Sequence, residues 1–378
     1  MPAIAGSGRK RILFFPLSNV LGHVTRTLAL AEELDAQGHD VYVAMNRTYS
    51  YIANVLPPGI RVLPAPEMWA AATQSFGPIR HYREGITNDR ANLESSGRLN
   101  ESELRRRGRR LTQMVERDAA IVEEVRPDAI VTDYHFTPSL LPLRPRTHVF
   151  HISHILGYPS FYRRVMGADF FPLDSGHILV PGLKDIEYWR RGAGHAGIDR
   201  RESMCGVFRW RGWQRLPTND DPPPRSDVFL FFGSTGNGKE IVPWLSRTIP
   251  GRYRVSCIAP GRTGDLERFL SSTDVAFCHG GHGSVMECIL HRTPMAIFPH
   301  NIEQLEIGRR IEKMGLGILV KQPCGQLSGR DLGEIIEKLR TDARMKAALE
   351  KYSGLLRRRN GPKRAASTVL RILADARS

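Results

Sequence analysis

Cysteine is scarce in this chain. The five residues, Cys205, Cys257, Cys278, Cys288 and Cys324, are odd in number and form no CxxC pair. That spacing excludes a zinc-ribbon motif and a disulfide framework, and a reducing cytoplasm is the simplest compartment. No run of about 18 apolar residues occurs, so no membrane span is expected. The N-terminal "MPAIAGSGRKRILFFPLSNV" sets basic residues before an apolar stretch, as a signal peptide does. But "RILFFPL" is short, contains Pro16 and runs into Ser18-Asn19 with no small-residue cleavage pattern, so it reads as a first β-strand. No glycine turn carries the spacing of a Walker phosphate loop. Acidic residues are outnumbered, 39 Asp and Glu against 54 Lys and Arg, for a net charge of +15. The excess favours an anionic partner such as a nucleotide, a nucleic acid or a membrane surface. A solvated arginine-rich surface accounts for it equally well.

What is present is globular: 378 residues, 41% hydrophobic and 25% charged, too long for one ordinary core. "RKRILFFPLSN" is a strand and turn. "GHVTRTLALAEELDAQGHD" is a helix with Leu28, Leu30, Ala31 and Leu34 as an apolar stripe, Thr25 as a candidate cap and Gly38 at its end. "VYVAMN" is the next strand, and the strand–helix–strand rhythm favours a parallel sheet. A long helix over "ESELRRRGRRLTQMVERDAAIVEEVRP" ends at Pro127, and the strand "DAIVTDYHF" follows. "LPTNDDPPPRSD", 216–227, reads as a linker. The rhythm then restarts with "VFLFFGSTGNGKE" and continues to a basic helical tail. The expected division is an N-terminal domain 1–210, a linker 211–227, a C-terminal domain 228–360, and a basic helix 361–378 packed back on the first domain.

The densest chemistry is "DVAFCHGGHGSVMEC", a strand, a glycine turn and the start of a helix. Helix-start N–H groups have no intrahelical partner, and the helix dipole adds positive charge, so an anion fits there. Gly280, Gly281 and Gly283 let backbone approach a phosphate, and Ser284 is a candidate cap and phosphate donor. His279 at the strand end can donate to a leaving phosphate, and Glu287, one turn on, can accept from ribose hydroxyls. Taken alone, a GGxG turn is also a tight strand–helix corner. Further on, Glu303-Gln304 in "PMAIFPHNIEQ" suits adjacent sugar hydroxyls, or the acid caps a helix start.

"HGGHGSVMEC" with "RTPMAIFPHNIEQLEIGRRIEKMGLGILV" resembles the donor-binding region of the GT-B glycosyltransferases. It is most similar to the UDP-glycosyltransferase family that includes bacterial natural-product and plant enzymes. The pattern is His-x-Gly-x-x-Ser-x-x-Glu, a Pro-containing strand, then Asp/Glu-Gln; His279, Gly281, Ser284, Glu287, Pro294, Pro299, Glu303 and Gln304 match it. Glu303 stands where many members have Asp. The resemblance implies an α/β GT-B fold, two Rossmann-like domains facing a cleft. It implies that His279, Ser284 and the turn amides bind the donor diphosphate, Glu287 the ribose, and Glu303 and Gln304 the sugar.

The N-terminal "FFPLSNVLGHVTRTLALAEELDAQGHDVYVA" is similar to the family's first strand, loop and helix, and His23 matches its general base. Members pair that histidine with an aspartate, and Asp133 is the candidate. Gly233, Ser234 and Thr235 of "FFGSTGNGKE" are expected near the diphosphate. The resemblance implies an inverting, metal-independent hexosyltransferase taking a UDP- or dTDP-sugar to a small natural-product hydroxyl, as in antibiotic biosynthesis. No metal site and no resident cofactor are expected. A sugar-nucleotide epimerase of the UDP-GlcNAc 2-epimerase type shares the architecture and is the first rival. A binding role on nucleic acid is the second, because "RRRGRR" and "RRRNGPKR" are basic runs; they lack the interleaved aromatics of a stacking platform, and serve as well to attract an anionic lipid or DNA acceptor of a glycosyltransferase or an anionic membrane at its inner surface. The acceptor pocket is expected from residues 67–100 and 154–200, with Trp69, Phe76, Tyr82, Tyr158, Phe161, Tyr162 and Trp189. Between "FFGSTGNGKE" and the histidine turn only one strand, "YRVSCIAPG", is clear where the family has two.

Overall fold

The computed structural model describes residues 8–18, 20–46, 50–65, 101–135, 137–154, 176–187, 201–215, 225–233, 238–258, 266–300 and 302–376. Ser234, Thr235 and the seven aromatic residues expected to line the acceptor pocket lie outside these ranges. The chain divides into two compact units. The first gathers residues 1–72, 99–216 and 359–378, and the second 73–98 and 217–358.

In the first unit β1 (Arg11–Pro16) leads to α1 (Leu21–Ala36), then β2 (Asp40–Met45) and β3 (Ile60–Pro64). The long α2 (Glu101–Val125) delivers β4 (Ala129–Asp133), followed by β5 (His148–Ile152), β6 (His177–Val180) and β7 (Glu202–Met204). The strands run parallel in the order β3-β2-β1-β4-β5-β6-β7. Parallel strands are covered on both faces, so they read as continuous apolar runs. β1 shows why. Ile12 and Phe14 point into one cluster with Val24, Leu28 and Ala31 of α1. Leu13 and Phe15, one step out of phase, pack on the other face with Ile121 and Val125 of α2.

α1 starts one turn before the expected cap. Val20 stands at its N-cap without a side-chain bond, and Thr25 lies inside the helix, its hydroxyl donating to the Leu21 carbonyl. The approach to the helix is instead held by backbone bonds, with Val20 N–H donating to the Leu17 carbonyl at 3.2 Å and Leu17 N–H to the Asp133 carbonyl at 2.8 Å. The last helix of the chain, Gly361–Asp375, belongs to this unit and buries Ala365, Ala366, Val369 and Leu373 in the α1 cluster. Asn360 caps it by accepting from Lys363 N–H.

The second unit is a five-stranded parallel sheet. Its strands are β8 (Ser226–Phe231), β9 (Val255–Cys257), β10 (Thr273–Cys278), β11 (Met295–Ile297) and β12 (Gly317–Leu319), in the order β12-β11-β10-β8-β9. Among the described residues, Gly238–Thr248, Leu266–Leu270, His282–His291 and Ile302–Lys313 are its connecting helices. Among the described residues one strand, β9, lies between β8 and β10 in sequence. Among them also, no helix is long and apolar enough to cross a membrane, and no group of three His, Cys, Asp or Glu is placed to hold a metal ion.

Candidate active site

In an open parallel sheet, ligands bind beyond the carboxyl ends of the strands, where the strand order reverses. The first unit reverses between β1 and β4, which are adjacent with Pro16 opposite Asp133. His23, in the first turn of α1, follows β1, and Asp133 ends β4. The topology therefore brings them together across 110 positions: His23 Nδ1 lies 2.7 Å from Asp133 Oδ1. The pairing fixes the tautomer, with Nδ1–H donating to the carboxylate and the Nε2 lone pair left to accept a proton.

The sequence reading missed a third member. Arg26 Nε donates to Asp133 Oδ2 at 2.7 Å and a terminal Arg26 nitrogen donates to Oδ1 at 2.6 Å. That same nitrogen sits 2.8 Å from His23 Nδ1, so two donors converge on one carboxylate oxygen. The other terminal nitrogen lies 3.1 Å from His154 Nδ1, just past β5. The signal in sequence was the i, i+3 spacing of His23 and Arg26, which puts both on one helix face. Nothing local announced His154, because only the sheet order β4-β5 brings it near.

Asp133 is wholly buried. Burial by itself raises its carboxyl, but the Arg26 charge and then His23 overcome that and bring it down to about 2. Tyr134 follows with φ 57°, a left-handed conformation that L side chains rarely adopt. Its ring packs 4.7 Å from His23 and 5.8 Å from His154. A second buried network holds this strand end: His135 Nε2 lies 2.6 Å from Asp118 of α2, and Thr137 donates to the same carboxylate.

In the second unit the strand order reverses between β8 and β10. Gly233 follows β8 with φ 68°, and a Cβ there would come within 3.0 Å of the His279 ring. The turn Gly280-Gly281 leads into His282–His291, whose N-cap is Gly281. No side chain caps this helix. Ser284, expected as a cap, sits in its first turn instead, because the helix begins two residues earlier. Gly280 has φ 82°, and a Cβ on it would lie 2.6 Å from Ile297 and 3.2 Å from the Gln304 carbonyl. A Cβ at Gly283 would meet nothing within 4 Å. A Cβ on Gly281 would run into the His279 ring, so the turn has two glycines that packing requires and one, Gly283, that it does not.

His279 is buried beside the helix start. Burial lowers its ring to about 4, against the raising effects of the Phe231 carbonyl that accepts from it and of the Glu303 charge. Its Nδ1 is buried without a hydrogen-bond partner among the described residues. His300, also missed from sequence, lies near-parallel to it at 6.4 Å and packs on Phe232. Glu287 is one turn into the helix, 3.6 Å from His291. Glu303 stands in the first turn of Ile302–Lys313, and Gln304 beside it is buried, its amide oxygen accepting from His300 N–H at 2.7 Å.

No family model matches the chain. Over 107 residues it is 31% identical to demethyllactenocin mycarosyltransferase of Streptomyces fradiae, covering 28% of this chain and 23% of that one. Over 132 residues it is 25% identical to the NDP-glycosyltransferase YjiC of Bacillus subtilis, covering 35% and 32%. The chain thus matches a third or less of the length of these curated relatives. Among solved structures it is similar to the glycotransferase of kitacinnamycin, with a TM-score of 0.68, 16% identity, and 96% and 98% of the two chains covered. It is also similar to a spinosyn rhamnosyltransferase complexed with thymidine diphosphate, with a TM-score of 0.61, 16% identity, and 95% and 99% covered.

Proposed function

From a chain with the GT-B fold of the natural-product glycosyltransferases, we propose an inverting glycosyltransferase. It moves a sugar from a UDP- or dTDP-linked donor to a hydroxyl of a small-molecule acceptor. The observation that carries the reading is the 2.7 Å contact between His23 and Asp133 at the strand-order reversal of the first sheet. An imidazole oriented by a buried, ionised carboxylate, with Nε2 left to accept, is the arrangement a general base needs. The thymidine diphosphate held by a spinosyn rhamnosyltransferase of the same fold supports the nucleotide class.

In this reading His23 Nε2 takes the proton from the acceptor hydroxyl, and Asp133 stabilises the imidazolium. The acceptor oxygen forms a bond to the anomeric carbon as the bond from that carbon to the diphosphate oxygen breaks, so configuration inverts. The nucleoside diphosphate leaves with the bonding pair. The backbone N–H groups at the start of His282–His291 neutralise it, together with Ser284, His279 and the backbone at Gly233, Gly280, Gly281 and Gly283. Ser234 and Thr235 extend this donor set by sequence position. Glu287 accepts from ribose hydroxyls, and Glu303 and Gln304 face the sugar. These groups supply the neutralisation without a metal ion. The two compact units correspond to an acceptor domain and a donor domain, with the donor held on the second.

The test is a panel of nucleotide-sugars with the purified chain, read by thermal shift and by nucleotide release. One donor raising the melting temperature, an effect lost in Glu287→Ala, supports the donor site. Slow release of nucleotide with water as acceptor, lost in His23→Ala, supports transfer. Conversion of the sugar-nucleotide to an isomer with no acceptor present would replace this reading with the epimerase, and no response to any donor would end it.

A further inference from the structure

Asp118 occupies a position on α2 where packing alone would place a hydrocarbon side chain. Met114, Asp118, Ile121 and Val125 recur at helical spacing, and all four are buried. Ile121 and Val125 pack with Leu13 and Phe15 of β1, and Met114 packs with Leu17 and Tyr134. A carboxyl group in such a stripe costs free energy unless its oxygens are bonded. One oxygen is: Asp118 Oδ2 lies 2.6 Å from His135 Nε2 and accepts from the Thr137 hydroxyl. Asp118 Oδ1 and His135 Nδ1 are buried with no hydrogen-bond partner among the described residues. A buried network bonded this incompletely is a poor source of stability, since apolar residues of similar shape in its place are often neutral or stabilising. What it fixes is geometry.

The geometry is that of the turn after β4. Tyr134 has φ 57°, a costly conformation for a residue other than glycine, and one that persists only where its surroundings over-determine it. On the β1 side, Leu17 N–H donates to the Asp133 carbonyl at 2.8 Å, and Pro16 forms an antiparallel bridge with Tyr134. On the α2 side, His135 and Thr137 are tied to Asp118, and the His135 ring stacks on Phe15 at 5.2 Å. Held between them, the Tyr134 ring packs 4.7 Å from His23 and 5.8 Å from His154. The His23 imidazole is thus restrained at Nδ1 by Asp133 and along its ring by Tyr134.

We propose that Asp118 is a positioning residue for the base. By gripping His135 and Thr137 it keeps Tyr134 in its left-handed turn, and the Tyr134 ring keeps the His23 imidazole against Asp133. Without the grip, Tyr134 relaxes toward an ordinary φ, its ring leaves His23, and the imidazole turns about its side-chain bonds. A misplacement of about 1 Å that originates far from the reacting atoms costs on the order of 10²-fold in rate.

This inference rests on the proposed role of His23, and one of its two readouts needs no substrate. The full-length wild type is compared with an apolar variant carrying Asp118→Leu, His135→Phe and Thr137→Val, with Asp118→Asn, with Tyr134→Gly, and with the apolar variant and Tyr134→Gly combined. The apolar variant is expected to fold and to lose roughly 10–100-fold in kcat, with donor KM within about twofold of wild type. Asp118→Asn keeps an oxygen for both donors, so its kcat should stay within about threefold of wild type. Glycine suits φ 57°, so Tyr134→Gly folds without the grip. It should lose as much rate as the apolar variant, and the combined variant should lose no more than either. The second readout is NMR of the unliganded protein with 15N-labelled histidine. The low-field Nδ1–H resonance of His23, assigned by its loss in His23→Ala, should be sharp in the wild type and in Asp118→Asn. It should be broadened or lost in the apolar variant and in Tyr134→Gly. A merely structural network would change the melting temperature and leave both this resonance and kcat per folded molecule in place. Wild-type kcat in Tyr134→Gly would overturn the inference, and this outcome does not need the apolar variant to fold. Additive losses in the combined variant, or a sharp resonance in the folded apolar variant, would overturn it too. Absence of sugar transfer and nucleotide release in the wild type, with every donor and acceptor including water, would instead overturn the transferase reading, and the resonance would still decide the inference.

Discussion

His23 Nδ1 and Asp133 Oδ1 stand 2.7 Å apart, one residue in the first turn of a helix and the other at the end of a strand. The pairing depends on the carboxylate accepting. Asp133→Asn keeps the shape but offers an amide that can donate to Nδ1, which turns the ring to the wrong tautomer. The expected loss is about 10²–10⁴ in kcat with KM little changed, since orientation acts at the transition state. His23→Ala should lose at least as much. Asp133→Asn within threefold of wild type, measured by steady-state transfer, would remove Asp133 from the mechanism.

Asp133 also sets a pH limit on stability. Its carboxyl is brought from 3.8 to about 2 in the folded state, by Arg26 and His23 acting against burial. A group lowered on folding stabilises the fold above its unfolded value and loses that contribution as pH falls through its folded value. The window is therefore between about pH 4 and pH 2, and the contribution is roughly 2 kcal/mol. Urea unfolding at half-unit steps should show this slope in the wild type and a shallower one in Asp133→Asn. Parallel curves would contradict it.

The two outer glycines of the donor turn should behave differently. Gly280→Ala forces a side chain into φ 82° and puts a Cβ 2.6 Å from Ile297. A cost of about 1–3 kcal/mol in stability is expected, with the turn displaced. Gly283→Ala meets nothing within 4 Å, so the melting temperature should stay near wild type. If the diphosphate lies over this turn, the added methyl should still weaken donor binding by roughly tenfold or more. Calorimetric titration with a nucleotide-sugar, beside thermal melts, separates the two effects. Unchanged affinity in Gly283→Ala would move the diphosphate away from this turn.

Much of this was legible in the sequence because the signals are local. The apolar runs of β1, β4, β8 and β10 and the glycine turn at 280–283 are contiguous stretches. His23 could be named because its position matches the general base of the family the N-terminal stretch resembles, and Asp133 because it ends a strand in the domain where that family pairs the base with an aspartate. Arg26 was not legible as part of the site. An arginine on an amphipathic helix reads as a solvated charge, and only the parallel pairing of β1 with β4 turns it onto Asp133. His154 and His300 were hidden for the same reason, being brought in by sheet order and not by spacing. The helix caps expected at Thr25 and Ser284 failed because both helices begin earlier, with backbone and no side chain at their N-caps. The pattern of polar residues cannot fix a helix start to within a turn when the true cap is Val20 or Gly281.

His279 gives the donor site a proton linkage. Its ring is lowered from 6.5 to about 4 by burial, outweighing the Phe231 carbonyl and Glu303. Folding therefore favours the neutral ring, and its contribution to stability is present above pH 6.5 and lost as pH falls from there toward 4. A diphosphate beside the ring opposes burial, since an anion within about 4–6 Å favours the charged imidazole. Binding should then take up a proton below about pH 6.5, and affinity should rise as pH falls, by at most about tenfold per pH unit. A nucleotide-sugar is the right probe, because its doubly esterified diphosphate keeps its charge over this range. A free nucleoside diphosphate gains a proton of its own there. Titrations at pH 7.5, 6.5 and 5.5 in buffers of different ionisation heat measure both affinity and proton uptake. His279→Gln should bind with a flat pH dependence. A flat wild type would show that the ring stays neutral against the bound donor, and would leave the helix-start amides as the groups that neutralise the leaving diphosphate.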